Sequence, residues 1–215
     1  MRRFADVDYE PEESGSTPAI RLATGHDARE ISAIYAPIVE HTIISFEVEP
    51  PTEDEMRRRI WHTLEHLPWL VCERHGRVAG YAYASEHSAR AAYQWSVNVS
   101  AYVHERERRT GIGRALYTSL STVLALQGFY NAYAGISLPN PASVGLHEAV
   151  GFKPVGIYHS VGYKLGTWHD VGWWQLSLQE HITSPDPPIN LRTTQASAEW
   201  DAALASGLPL LQDHR

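Results

Sequence analysis

Between Trp95 and Gly128 the chain changes its hydrophobic period once, and that change limits the folds open to it. Trp95, Val97, Val99, Ala101 and Val103 alternate with Ser96, Asn98, Ser100 and Tyr102, the period of a strand with one apolar face. Ile112, Leu116, Leu120, Val123 and Leu124 then recur mostly at three- and four-residue steps until Gln127, where Gly128 supplies a left-handed stop. The order is strand, basic glycine loop, helix. A helix opened by Gly111 and Gly113 leaves its first N–H groups without intrahelical acceptors, and glycine lets phosphate oxygens approach bare backbone. Arg108 and Arg109 add fixed positive charge at the same mouth. The pattern predicts a phosphate or pyrophosphate site, although an ordinary strand-to-helix connection has the same outline. It is not a Walker loop, because no G-K-[ST] follows, and Leu116 stands where G-x-G-x-x-G needs its third glycine.

The bulk of the chain fits one soluble globular domain with short appendages: 215 residues, 43% hydrophobic and 20% charged. A formal charge of −7 without any long Lys/Arg run argues against nucleic acid or an anionic membrane as partner. Cys72, the single cysteine, lies in an apolar strand-like run and reads as core, in a reducing compartment. Met1-Arg2-Arg3 is not followed by an apolar leader, and no run of 18 apolar residues occurs, so a cytoplasmic protein is expected.

Taken in order, residues 1–17, acidic around Pro11, read as a disordered tail. A domain over 18–181 begins with a strand at 19–23, and Thr24 with Asp27 opens a helix through Ile31, Ile34, Tyr35 and Ile38. Thr52 and Glu55 cap a second helix carrying Met56, Ile60 and Leu64. Residues 69–74 and 78–84 form a hairpin across His75-Gly76, and the polar stretch 86–92 is a loop. After the central strand and helix come a strand at 130–137, a short helix capped by Asn140 with Pro141 at its first position, and strands at 152–163 and 171–178 around an aromatic turn at 164–170. The fold class is therefore α/β (α+β): a mixed seven-stranded sheet with about four helices. The Pro-rich extension 182–215 reads as disordered or as a helical turn or two around Trp200 and Leu204, docked on a neighbour.

Several of these local readings fall in the order of one family. Arg108-Arg109-Thr110-Gly111-Ile112-Gly113 resembles motif A of the GNAT superfamily of N-acetyltransferases, Q/R-x-x-G-x-G/A. Asn140-Pro141-Ala142-Ser143, Leu146-His147-Glu148 and Gly151-Phe152 resemble its motif B. Pro68-Trp69-Leu70-Val71, Ala91-Ala92-Tyr93-Gln94-Trp95, Leu138-Pro139-Asn140 and Trp168-His169-Asp170-Val171-Gly172 are similar to its phosphinothricin acetyltransferase branch.

The resemblance implies a mostly antiparallel sheet splayed between its fourth and fifth strands, with acetyl-CoA in the split. Ala101, Tyr102 and Val103, the loop and helix start Arg108, Arg109, Thr110, Gly111, Ile112, Gly113 and Arg114, and Asn140 and Ser143 would hold the coenzyme. His147 matches a position the family uses for catalysis and would accept the amine proton or protonate the thiolate. Asn98 stands where the branch has a glutamate general base, and an amide cannot take that proton. Either His147 works alone with water, the amine arrives neutral, or another substrate is used; Asn98 otherwise only hydrogen-bonds within the cleft. Arg90 and Tyr93 match contacts to the acidic end of the substrate, Ser88 stands where the branch has a lysine, and Phe46, Tyr83 and Val171 match pocket positions. The Val171 position reaches a neighbouring subunit's site in the family, which implies a homodimer. The implied activity is acetyl transfer to the amine of a small amino-acid analogue, with a silent acyl-CoA-binding module or a protein N-terminal acetyltransferase as alternatives. His62 and His66 have zinc-ligand spacing, but no third ligand is placed and no metal is expected.

Overall fold

The computed structural model describes residues 17–212. Apart from Thr17, the expected tail lies outside the described residues, as do the last three residues of the extension. Seven strands form one sheet in the order β1 (Ala19–Leu22), β2 (Trp69–Arg74), β3 (Arg77–Glu86), β4 (Ser96–Val103), β5 (Asn131–Leu138), β7 (Thr167–Ser177) and β6 (Lys153–Lys164). Every pairing is antiparallel except β4 with β5, which is parallel and covers only Ser96–Asn98 against Asn131–Tyr133. Beyond Asn98 and Tyr133 the two central strands have no register with each other. The sheet is therefore open in its middle.

Two layers of helix cover it. On one face, α1 (Ala28–His41) and α2 (Glu53–Leu64) pack Ile31, Ile34, Tyr35, Met56 and Ile60 against Trp69, Val71 and Tyr81. On the other, α3 (Ile112–Gln127) packs Leu116, Leu120 and Leu124 against Leu70, Ala82, Val97 and Ala132, with α4 (Pro141–Ala149) beside it. Cys72 belongs to this second core and is fully buried. The capping residues act as their spacing predicts. Thr24 and Asp27 form a reciprocal box, Thr52 accepts from the Glu55 N–H, and Asn140 accepts from the Ser143 N–H at 3.1 Å. Gly128 ends α3 at φ 94°.

Two segments differ from the sequence expectation. Residues 164–170 are not a turn: β6 and β7 run on to Lys164 and from Thr167, joined tightly by Leu165 at φ 50° and Gly166 at φ 82°. Two positive φ values match the strands' right-handed twist and need only two residues, and Tyr163 meets Trp168 across the pair with ring centres 5.4 Å apart. The second is the extension, which lies on the chain's own α3. Its α5 (Leu191–Gln195) and α6 (Trp200–Ala205) bury Leu191, Trp200 and Ala203 against Val123. Ser119 Oγ donates to Leu204 O at 2.7 Å and accepts from the Gly207 N–H at 3.0 Å. The segment then reaches the start of α3, where the Gln212 N–H donates to Thr110 O at 2.9 Å. Among the described residues, no helix is long and apolar enough to cross a membrane.

Candidate active site

The open middle of the sheet defines the site. From Val99 to Val103, β4 stays paired with β3 on one side but, among the described residues, has no strand partner on the other. Half of its backbone groups there face a gap and require another partner. At the mouth of the gap, the first intrahelical bond of α3 runs from the Ala115 N–H to Gly111 O, and no side chain caps Gly111. The N–H groups of Ile112, Gly113 and Arg114 thus open the helix uncapped, at its positive dipole end. Arg108, Arg109 and Arg114 are exposed around them. Thr110 is buried and donates to Glu107 O at 2.6 Å, which folds the loop back on itself.

The two glycines also have packing reasons that the sequence does not reveal. A Cβ on Gly113 would lie 2.9 Å from the Leu146 side chain, so its absence lets α4 approach α3. Gly111 sits at φ 84°, and a Cβ there would lie 2.0 Å from Leu210 O. One flank of the loop is thus filled by the chain's own extension.

Across the gap, Asn140 caps α4, which carries His147, 5% exposed. Its Nδ1 faces Ser143 O at 2.7 Å and its Nε2 faces the Tyr117 hydroxyl at 2.8 Å. A carbonyl can only accept, so Nδ1 carries the proton and the Tyr117 O–H donates to Nε2. Burial lowers the imidazole's pKa, outweighing the bond to Ser143 that favours the charged form. His147 is therefore neutral at pH 7 and has both ring nitrogens engaged. In this state the Nδ1 proton is held by Ser143 O and the Nε2 lone pair by the Tyr117 hydroxyl. Tyr117 was not expected in the site; it is 30 residues from His147, and only the α3–α4 contact brings them together.

On the α1–α2 face, the expected acceptor residues fall into separate groups. Phe46 rests against β6, where a Cβ at Gly162 would meet its ring at 2.2 Å, and faces His169 at 6.2 Å. Buried Lys164 ties that corner down, donating to Val39 O and Ser45 O at 2.6 Å each. Tyr83 stacks on Trp69 at 4.3 Å. Val171 pairs with Ser137 of β5 and Tyr158 of β6. Arg90 is exposed and directly precedes the short turn that carries Tyr93. At the foot of the gap, Asn98 Oδ1 lies 3.0 Å from His87 Nδ1, and Asn98 Nδ2 donates to Glu86 O at 3.2 Å. The His87 ring faces Tyr133 at 4.6 Å and Tyr93 at 5.5 Å. His87 falls in the stretch expected to be a plain polar loop, and the sequence carries no signal for it. The zinc-like spacing does not survive folding: α2 ends at Leu64, before His66, and His62 Nδ1 bonds to Glu65 at 3.0 Å.

An acetyltransferase (GNAT) domain model matches residues 20–173. The phosphinothricin N-acetyltransferase of Streptomyces viridochromogenes is 41% identical over 170 residues, 79% of this chain and 92% of that protein. The L-methionine sulfoximine/L-methionine sulfone acetyltransferase of Salmonella typhimurium is 34% identical, over 78% of this chain and 98% of the relative. A crystal structure of a GNAT superfamily phosphinothricin acetyltransferase from Sinorhizobium meliloti, in complex with AcCoA, superposes with a TM-score of 0.75. It is 35% identical, covering 80% of this chain and 94% of that one.

Proposed function

The chain belongs to the GNAT acetyltransferase family, and on that premise we propose that it moves an acetyl group from acetyl-CoA to the primary amine of a small amino-acid analogue of the phosphinothricin or methionine sulfoximine type. The observation that carries this reading is the break in the sheet. A parallel pair that ends at Asn98 and Tyr133 leaves an edge of unpartnered backbone leading to the uncapped start of α3. The residues fit the coenzyme. The amides of Ile112, Gly113 and Arg114, with the cations of Arg108, Arg109 and Arg114, suit a pyrophosphate. The backbone of Ala101, Tyr102 and Val103 suits an extended amide-bearing arm, and Asn140 and Ser143 form the opposite wall. Acetyl-CoA supplies the activated acyl group; the protein orients the amine and manages its protons.

Arg90 offers a guanidinium fork to the substrate carboxylate, with Tyr93 beside it. With Ser88 in place of a second cation, a singly charged acidic end suits the pocket better than a doubly charged one, which favours methionine sulfoximine over phosphinothricin. Phe46 and Tyr83 form the apolar walls on this chain's side. Val155, Tyr158, Val161, Tyr163 and Trp168, all on β6 and β7, are more than half exposed. So much apolar surface on one edge supports a homodimer through these strands, with Val171 serving the partner's pocket.

Asn98, which cannot act as a base, favours a second reading: a module that binds acetyl-CoA without turnover. Thiol release from acetyl-CoA with L-methionine sulfoximine, L-phosphinothricin and an N-terminal peptide separates the two. The first amine is expected to turn over fastest. Tight acetyl-CoA binding without thiol release from any amine would support the silent module instead.

A further inference from the structure

His87 is where the structure goes beyond the residues that the family pattern marks. It follows the last residue of β3, and the antiparallel register of Ser85 with Asn98 brings it beside β4. Asn98 and Tyr133 make the last rung before β4 and β5 part. The imidazole touches both residues of that rung and the ring of Tyr93. It therefore stands where the gap meets the proposed amine pocket, half-buried.

Its proton is assigned by a chain of two bonds. Glu86 O can only accept, so the Asn98 amide must turn its Nδ2 toward that carbonyl. Asn98 Oδ1 then faces His87 Nδ1 and can only accept, so the proton of a neutral His87 is on Nδ1. Nε2 is left with its lone pair. Among the described residues, no protein group is hydrogen-bonded to Nε2. The contrast with His147 is direct, since there both nitrogens are engaged inside the core.

We propose that His87 is the proton acceptor for the amine in this enzyme and that Asn98 is its positioning residue. The assignment rests on the acetyltransferase reading above. An ammonium substrate gives one proton to His87 Nε2, which passes it to solvent. The freed lone pair forms the C–N bond to the acetyl carbon as the C–S bond breaks, the sulfur keeping that electron pair. The surplus proton on the amine nitrogen goes to the departing sulfur. Amide, free thiol and one released proton balance the equation. An asparagine where a carboxylate base would otherwise stand is thereby explained: it no longer takes the proton but holds the group that does.

The test uses the full chain, acetyl-CoA and L-methionine sulfoximine. His87→Gln is expected to lower kcat about 100-fold, while the calorimetric Kd for acetyl-CoA stays within about threefold, since that residue is outside the coenzyme mouth. Asn98→Asp places an anion on the Nδ1 proton, and the acidic limb of its kcat/KM profile is expected to move up by about one pH unit. The titratable side chains packed on the ring are Tyr93, from the short turn, and Tyr133, from β5; Asn98, from β4, does not titrate. A purely structural His87 would leave that limb in place. Unchanged kcat in His87→Gln, or an unmoved limb in Asn98→Asp, would overturn the proposal even with an active native enzyme. A native chain that turns over no amine would overturn the acetyltransferase reading and this proposal with it.

Discussion

Gly111→Ala is expected to lower the melting temperature by roughly 10 °C and to weaken acetyl-CoA binding in the chain that remains folded. Two costs combine. The backbone at Gly111 is left-handed, with φ at 84°, which costs an alanine about 1–2 kcal/mol. The new Cβ would also lie 2.0 Å from Leu210 O, and a backbone carbonyl cannot rotate away as a side chain does. To relieve the clash, either the loop at 108–113 or the extension must shift. The loop shift disturbs the amides of Ile112 and Gly113, and the extension shift breaks the bond from Gln212 to Thr110. A total near 4 kcal/mol, in the upper tail of single substitutions, follows from such backbone conflict. Thermal melts check it with an internal control. Ending the chain at Ser206 removes the opposing carbonyl, so in that background the same substitution should cost only the conformational term of about 1–2 kcal/mol.

The second large effect belongs to His147. His147→Ala leaves the Tyr117 hydroxyl and Ser143 O without their buried partner and opens a hole between α3 and α4. The expected cost is about 3 kcal/mol at pH 8. The effect depends on pH. A histidine whose folded pKa lies below its unfolded value, about 6.5, contributes its full stability above that value. It loses stability as the pH falls from there toward the folded value, because the unfolded chain takes up the proton first. Native stability should therefore drop between pH 7 and 5, and His147→Ala should show a smaller drop over the same range. His104, whose pKa burial also lowers, titrates in both proteins, so the difference between them isolates His147. Chemical denaturation at pH 8, 6.5 and 5 measures it; parallel curves would assign the acid sensitivity elsewhere.

Much of the fold can be read from local signals, because this chain marks its element ends with side chains that act within three residues. Thr24 with Asp27, Thr52, Asn140 with Pro141, and Gly128 all cap or stop helices where their spacing says. Contacts between distant segments were not legible. Leu191, Trp200 and Leu204 are too sparse to declare a face, and the surface they cover on α3 lies more than sixty residues earlier. The turn at Leu165-Gly166 escaped because leucine rarely takes φ 50°, so the aromatic residues around it read as the turn itself.

The site divides in the same way. Arg108, Arg109, Gly111 and Gly113 advertise an anion mouth by type and order, and the motif around Asn140 and His147 points to the opposite wall. What those residues do depends on neighbours that no spacing reveals. His147 is held by Tyr117 on another helix. His87 becomes noticeable only once the register of β3 with β4 puts it against Asn98. An asparagine that looks like a missing base in one dimension looks like a support in three.

All of this turns on where the coenzyme binds. A crystal structure of the chain grown with acetyl-CoA tests that directly. The pyrophosphate is expected on the N–H groups of Ile112, Gly113 and Arg114, the pantetheine arm along the free edge of β4 at Ala101–Val103, and the thioester directed toward Asn98 and Tyr133. Coenzyme bound elsewhere, or a gap left empty at saturating acetyl-CoA, would contradict this placement.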